Sequence, residues 1–384
     1  MNLLKVNSLK LLWCSAVFGA GVTGAYALPP TVPLATVPLF RTQTLPPNLV
    51  LNLAINSSTT GGAYRYDTVF VPTETYIGYF NPDRCYTYDA VKQYFVPSGS
   101  TAGANRTCGG KFSGNFMNWA TMSTVDILRY SLTGGRRDHS VDSPGLTVLQ
   151  RSNLLNSSSV AVPATVMSDI LLPTYFPRKT ISLNSANSFT PYANKPGTLR
   201  IVNCGNVVHF GDGTGGNITD CSTPNGDGNL SVSALQVKVQ VCDAGEALTR
   251  TTLPATNPPV NPLAYVDTQY RYCTQYGANY KPEGELQRNA LAARISVFAY
   301  PNIDDPAQYG GVLRVPAKFV GPRRLDALLN ESANPNREWD PNTGVFITYP
   351  DPAGNQFAGG TGISNYINKF ETVYPFYTTN NPVG

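Results

Sequence analysis

The sequence predicts a mixed α/β fold, and three stretches carry that prediction. Residues 48–55, NLVLNLAI, are an aliphatic run of strand length, suited to a buried strand. Residues 113–133 place Phe116, Ala120, Ser123 and Ile127 at helical spacing, and Met122, Val125, Leu128 and Leu132 widen that stripe. Residues 236–241 alternate Gln236, Lys238 and Gln240 with Val237, Val239 and Val241, the period of a half-exposed strand.

The other elements follow in order. A proline-rich approach, residues 28–47, leads into the first strand, which stops at Asn56-Ser57-Ser58 and Gly61-Gly62. A tyrosine-laden loop over 64–97 reads as aromatic packing under a long excursion. Ser113 is the expected N-cap of the helix, and Gly134-Gly135 its stop, with Arg136-Arg137 near the negative end. Trp119 and Asn118 are its candidates for surface contact, although core packing accounts for most of the stripe. Residues 145–180 are mixed and broken by prolines, and residues 199–245 read as strands joined by turns. LQRNALAARISVFAY starts helical and becomes a strand at Ile295–Ala299. GGVLRVPAKFVGP is a strand candidate that Pro316 demotes to an edge or bulge. RRLDALLN reads as a short helix, and Val345–Tyr349 as a strand embedded in a loop. No repeat of fixed period occurs.

Residues 1–27 have the form of a secretory signal: a short basic start with Lys5 and Lys10, an apolar stretch, and Ala25-Tyr26-Ala27 before the expected cut. That stretch is short and interrupted by Ser15, Gly19, Gly21 and Gly24, which argues against a membrane anchor. No later segment is apolar for long enough to span a bilayer, so the mature chain is expected to lack a transmembrane segment. Export ends in the periplasm, the outer membrane or the cell surface. Six cysteines remain beyond Cys14, an even number that fits disulfides in an oxidising compartment. Nearest-neighbour pairing is the simplest scheme: Cys85 with Cys108, Cys204 with Cys221, Cys242 with Cys273. The formal charge of +4 falls to +2 without Lys5 and Lys10, too little to suggest a nucleic-acid partner. Charged residues make up 14% against the usual ~25%, while 34 glycines, 31 prolines and 22 tyrosines point to many ordered turns.

Catalytic signatures are sparse. The two histidines, His139 and His209, belong to no HExxH motif, and no GxSxG elbow, P-loop or dinucleotide fingerprint is present. His139 reads as an exposed turn residue, and His209 as the end of a strand. Asp304-Asp305 fit a Pro/Asn-rich turn. An exported hydrolase or carbohydrate-active enzyme would have to use dispersed carboxylates, and Glu338 and Asp340 flanking Trp339 are its best candidates. One loop has oxygen ligands of the kind calcium takes, Asp212, Asn217, Asp220 and Asp227, with Asn225 and Asn229 close by. Its spacing does not match an EF-hand, and the same residues serve any tight exported turn.

Several longer segments carry a resemblance. FSGNFMNWATMSTVDILRYSLTGGRR, YIGYFNPDRCYTY, VQVCDAG, YCTQYGANYKPEGELQR, GGVLRVPAKFVGP, EWDPNTGVF and GISNYINKF are similar, in the order in which they stand along the chain, to the N-terminal half of the PilC/PilY family. These are type IV pilus tip-associated adhesins and assembly factors. The resemblance implies, over residues 28–384, an incomplete von Willebrand factor A-like domain with large disulfide-bearing loop and strand insertions. It implies binding rather than catalysis, with pilin or minor pilin subunits as partners and a host-cell surface as a second class of target. Two departures are expected. Ala54, Asn56 and Ser58 stand where many members carry an Asp-x-Ser-x-Ser adhesion motif, so the main anionic anchor for a divalent ion is missing. The family's C-terminal β-propeller is also absent from this sequence.

Overall fold

The computed structural model describes residues 46–53, 61–152, 179–192, 198–211, 233–243, 250–252, 264–267, 271–299, 312–348, 350 and 358–369. The first strands are β1 (Asn48–Leu53), β2 (Arg84–Asp89), β3 (Tyr94–Ser100), β4 (Phe112–Ser113), β5 (Thr147–Gln150) and β6 (Lys179–Ser182). Then come β7 (Thr198–Cys204), β8 (Val207–Gly211), β9 (Ser233–Gln236), β10 (Lys238–Val241), β11 (Arg250–Thr252) and β12 (Ala264–Asp267). The last are β13 (Arg271–Tyr276), β14 (Asn279–Glu283), β15 (Arg294–Ala299), β16 (Val312–Lys318), β17 (Arg323–Leu325) and β18 (Glu331–Ala333). The helices are α1 (Gly114–Thr121), α2 (Thr124–Thr133), α3 (Leu183–Phe189), α4 (Glu285–Arg288) and α5 (Ala358–Lys369). The chain is thus mixed α/β, as its patterns predict.

Two cores organise these elements. The first is aromatic. It joins the sheet β4-β2-β3-β10-β5 to α1 and to the meander β6-β7-β8-β9. Phe80, Tyr86, Phe95, Phe112, Phe116 and Phe210 interlock there, largely edge to face, which suits the ring quadrupoles. The tyrosine-laden loop packs as expected: Tyr76, Tyr79 and Tyr86 are buried. The second core is aliphatic. Leu53, Val125, Leu286, Ile295, Val297, Val315, Ile363 and Ile367 gather between α2, α4, α5 and the sheet β1-β15-β16. In that sheet β1 runs parallel to β15, and β16 antiparallel to it.

Several expectations are corrected. The single helix from Ser113 is two helices, broken at Met122-Ser123. Ser123 has extended backbone, and its hydroxyl accepts from the Asp126 amide while the Asp126 carboxylate accepts from Ser123. This capping box starts a new helix instead of continuing the old one. Ser113 does precede α1, but its side chain makes no cap bond. Gly134 ends α2 as expected, at φ 78°, where a Cβ would also meet the Pro282 carbonyl carbon at 2.7 Å. Among the described residues β1 pairs only with β15, and Leu49 and Val50 are 45% and 54% exposed where a buried strand was expected. RRLDALLN forms strand β17 and a turn closed by Asp326, because Arg323–Leu325 pairs with β18. Only a single bridge, Phe346 to Trp339, appears in the stretch read as the Val345 strand, whose last residue, Tyr349, is not described. His209 lies within β8 rather than at a strand end.

Two disulfides fall where nearest-neighbour pairing put them, Cys85–Cys108 and Cys242–Cys273. The third pairing, Cys204–Cys221, lies outside the described residues, as do the signal segment 1–27 and the Asp304-Asp305 turn. Pro316 sits on edge strand β16, whose pairing with β15 is irregular, as its sequence predicts.

Candidate functional site

The carboxylates singled out as catalytic candidates do other work. Glu338 is buried and accepts from the Ile363 amide at 2.5 Å and the Ser364 amide at 2.8 Å. Lys318 Nζ lies 3.1 Å away. The helical path breaks at Gly362 (φ 76°), so Glu338 holds the open amides at the start of the second half of α5. Asp340 folds back on its own turn, accepting from the Asn342 and Thr343 amides at 2.8 and 2.9 Å. Those amides, Asn342 first, hold its carboxyl below the usual carboxylate range. Glu338→Ala should therefore cost about 2–4 kcal/mol of stability, by leaving two amides and an ammonium without their acceptor. Thermal unfolding checks it; an unchanged melting temperature would refute the anchoring role.

The two histidines lie on different elements. His139 sits on an exposed turn, and His209 projects from β8 with its Nδ1 buried and without a partner. Lost hydration lowers the pKa of both, in His139 although its turn is exposed. Among the described residues no group of three His, Cys, Asp or Glu side chains could hold a metal ion. The loop with Asp212, Asn217, Asp220 and Asp227 lies outside the described residues, as do Ala54, Asn56 and Ser58. The chain returns at Gly61, whose carbonyl accepts from the Thr124 amide at 2.8 Å, beside the start of α2.

Buried charge is concentrated in structural junctions. Lys281 reaches Asp142 at 2.7 Å, Thr147 Oγ1 at 2.8 Å, and the carbonyls of Leu146 and Ser143. Arg137 does not serve the end of α2. It donates to the Gly344 and Pro282 carbonyls and lies 3.9 Å over the Phe346 ring centroid. Arg151, fully buried, reaches the Thr121, Gly205 and Val207 carbonyls and Asn203. Most of these donors are satisfied, which offsets the cost of burying the charges, although Arg137 Nε has no hydrogen-bond partner.

The site with free chemistry is the excursion from Tyr64 to Ile77. Its two ends meet at one phenol: Tyr64 Oη accepts from the Ile77 amide at 2.6 Å and donates to the Ile77 carbonyl at 2.8 Å. Burial raises the Tyr64 pKa to about 12, so the phenol keeps the proton it donates. This is the closed form of an Ω-loop. Its inner side is fixed from many directions. Phe70 inserts among Tyr76, Phe116, Trp119 and Phe189, with centroids 5.0–5.7 Å apart. Trp119 Nε1 donates to the Asp67 carbonyl, and Asn115 binds the Glu74 carbonyl and the Tyr76 amide, each at 2.8 Å. Arg106 reaches the Glu74 carbonyl and Thr75 Oγ1. The outer side exposes Tyr66 (82%), Val69 (70%), Val71 and Ile77, with the Arg65 guanidinium 4.8 Å over the Tyr66 ring. Rigid backbone under exposed apolar tips is an arrangement for contact, since the ordering cost is met before a partner arrives. The tyrosine-rich composition marks this loop in the sequence. The residues that fix it, Arg106, Asn115 and Trp119, come from 29 or more positions further along and carry no local signal.

Residues 67–211 match the family model described as "PilY1 homolog, small alpha/beta domain". A protein of Xylella fastidiosa (strain Temecula1), described as a type IV pilus biogenesis factor PilY1 homolog, is 30% identical over 400 residues, across 96% of this chain. The chain belongs to the PilY1 family. It spans about a third of that relative, 30% of its length. A second protein of the same organism, with the same description, is 36% identical over 78 residues, 20% of this chain and 5% of the relative. No solved structure matches. The family-model match takes in all of the Tyr64–Ile77 loop beyond Arg65-Tyr66, together with α1, α2 and the Cys85–Cys108 bridge. No helix among the described residues is long and apolar enough to cross a membrane.

Proposed function

We propose that this PilY1-family chain is an exported, pilus-associated protein that works by binding other proteins or surfaces, not by catalysis. In this reading residues 1–27 are its signal peptide. The sheet β1-β15-β16 with α2, α4 and α5 is the von Willebrand factor A-like part, and the aromatic core is the insertion. The parallel pairing of β1 with β15, and the helices on that sheet, support the assignment. The partners are pilin or minor pilin subunits, with a host-cell surface as the further target. A family name that refers to pilus biogenesis supports the setting.

The observation that carries the binding reading is the Tyr64–Ile77 loop, held rigid by buried side chains while it presents Tyr66, Val69 and Val71 to solvent. The structural duties of Glu338 and Asp340 weaken the enzymatic alternative. The test is complementation of a deletion strain with the wild-type gene or with Val69→Asp. A charge on an exposed tip leaves folding intact but costs a buried apolar contact at least ~1–3 kcal/mol. Surface pili in the sheared fraction should fall at least fivefold, with the variant's melting temperature unchanged. Normal piliation in Val69→Asp and in Tyr66→Asp would overturn this assignment of the surface.

A further inference from the structure

We propose that Arg106 positions the Tyr64–Ile77 contact loop, and that the Cys85–Cys108 bridge holds Arg106 in place, so that the part of the loop around Val71 and Ile77 takes its shape only in the oxidised chain. This rests on the binding reading above and says how, and when, that surface is formed.

The segment from Pro72 to Tyr76 is gripped from two sides. On one side Asn115 of α1 donates to the Pro72 and Glu74 carbonyls and accepts from the Tyr76 amide. On the other a single guanidinium spans the turn. Arg106 Nη1 donates to the Thr73 and Glu74 carbonyls at 3.4 and 3.2 Å, and its Nη2 donates to Thr75 Oγ1 at 2.8 Å. Its Nε donates to the Asp83 carboxylate at 2.8 Å, beside the start of β2. The side chain is only 14% exposed. A planar fork of donors can serve acceptors spread over three consecutive residues and a carboxylate, and a lysine ammonium cannot. Within the gripped segment and beside it, the Val71 amide donates to Tyr76 Oη, Glu74 to the Val71 carbonyl, Tyr76 to Asn115 Oδ1 and Ile77 to Tyr64 Oη.

Arg106 reaches this place from a turn, not from a helix or strand. Ala102 and Thr107 close the turn by bonding each other in both directions, and the Arg106 amide donates to the Gly103 carbonyl. Its own backbone is left-handed, at φ 51°. That conformation is costly for a residue with a Cβ and persists only where the surroundings impose it. The turn is tied at both ends. Before it, the Thr101 amide donates to the Asp83 carbonyl; after it, the Cys108 amide donates to the Ser188 carbonyl of α3. The covalent tie is the Cys85–Cys108 bridge. Cys85 is buried on β2, which has β4 on one side and β3 on the other, so the bridge fastens the turn to the interior of a sheet.

Closing the bridge requires a disulfide oxidant. The Cys85–Cys108 S–S bond forms as the oxidant's S–S bond breaks, and the oxidant leaves as two thiols with the two protons and two electrons. Before that exchange the turn is held by backbone hydrogen bonds alone. Arg106 can then relax from its left-handed backbone and withdraw the guanidinium from Thr73, Glu74 and Thr75. A chain still reduced inside the cell would thus present an unformed contact loop, and export to an oxidising compartment would set it.

Hydrogen–deuterium exchange of the folded full chain, read on peptides covering residues 68–77 and 114–121, tests this without any partner. Arg106→Met keeps an unbranched stem and removes the fork. Exchange at the Val71, Glu74, Tyr76 and Ile77 amides should quicken at least ~tenfold, with α1 unchanged. Arg106→Lys keeps a charge beside Asp83 and should restore little of the protection. The double variant Cys85→Ala/Cys108→Ala, which leaves Cys242–Cys273 in place, should quicken the same four amides. Unchanged exchange in Arg106→Met, full protection in Arg106→Lys, or full protection in the double alanine variant would each overturn the proposal. So would equal loosening of α1, the mark of a general loss of stability. Surface pili are counted separately: normal piliation in an Arg106→Met strain whose exchange has quickened as expected would support the latch and strike the binding reading alone.

Discussion

Replacing Asn118 by leucine should remove about 3–6 kcal/mol of folding stability, a large part of the ~5–15 kcal/mol that holds a domain together. The leucine side chain has nearly the same volume, so packing changes little. The loss comes from three backbone groups. Asn118 Nδ2 donates to the Tyr76 carbonyl at 2.8 Å and the Phe80 carbonyl at 2.7 Å, and its Oδ1 accepts from the Phe80 amide at 3.0 Å. These are buried, so water cannot replace the side chain. Each orphaned group costs roughly 1–3 kcal/mol. Asn118→Asp keeps the acceptor but turns a carboxylate toward two carbonyls, and should be at least as damaging. Urea unfolding at neutral pH measures both; a loss under ~1 kcal/mol for the leucine variant would mean that the 76–80 segment finds other partners.

Stability should rise as pH is raised from about 7 towards 10, and Lys179 should carry a separable part of the rise. The Lys179 amine is buried, donates to the Tyr64 carbonyl at 3.0 Å and the Trp119 carbonyl at 2.5 Å, and lies 4.2 Å from the centroid of the Trp119 ring. The carbonyls and the indole face favour the ammonium, but lost hydration outweighs them, and burial lowers its pKa to about 7. In the unfolded chain it titrates near ~10.4. Between these values the unfolded state holds more protons, so each step up in pH favours the fold, and below about 7 the full penalty remains. Lys281, lowered to about 8 mainly by burial, adds in the same direction. The Lys179→Met variant isolates the first contribution. Its unfolding free energy should rise less between pH 7 and 9.5 than that of wild type, by a few kcal/mol at ~1.4 kcal/mol per pKa unit. Identical pH profiles would mean that Lys179 stays charged when buried.

These two residues show where sequence reasoning stops. Spacing marked an apolar stripe around Asn118 and Trp119, and their polar atoms suggested surface contact. Both are buried, because the backbone of the loop before them supplies their hydrogen-bond partners. Lys179 had no local signal, since its carbonyls come from about 60 and 115 positions away. The helix break was legible: Ser123-Thr-Val-Asp126 has the spacing of a capping box, and the longer apolar period obscured it. Two disulfide pairings were legible because each closes a short, turn-rich loop. The exposure of Leu49 and Val50 on β1 was not. A strand's composition reports the neighbours it suits, and which neighbours are present depends on the rest of the fold.

The pairing of β1 with β15 also orders the fold in time. Asn48 meets Arg294, so the ladder cannot begin until the chain as far as Arg294 has been made. Apart from Cys273 of β13, with Tyr280 of β14 packed against it, the aromatic core draws on no strand after β10, so most of it can close before β1 meets its partner. High contact order then makes docking of β1 the slow step, and the leucine strand is the segment that a holding chaperone would have to shield longest.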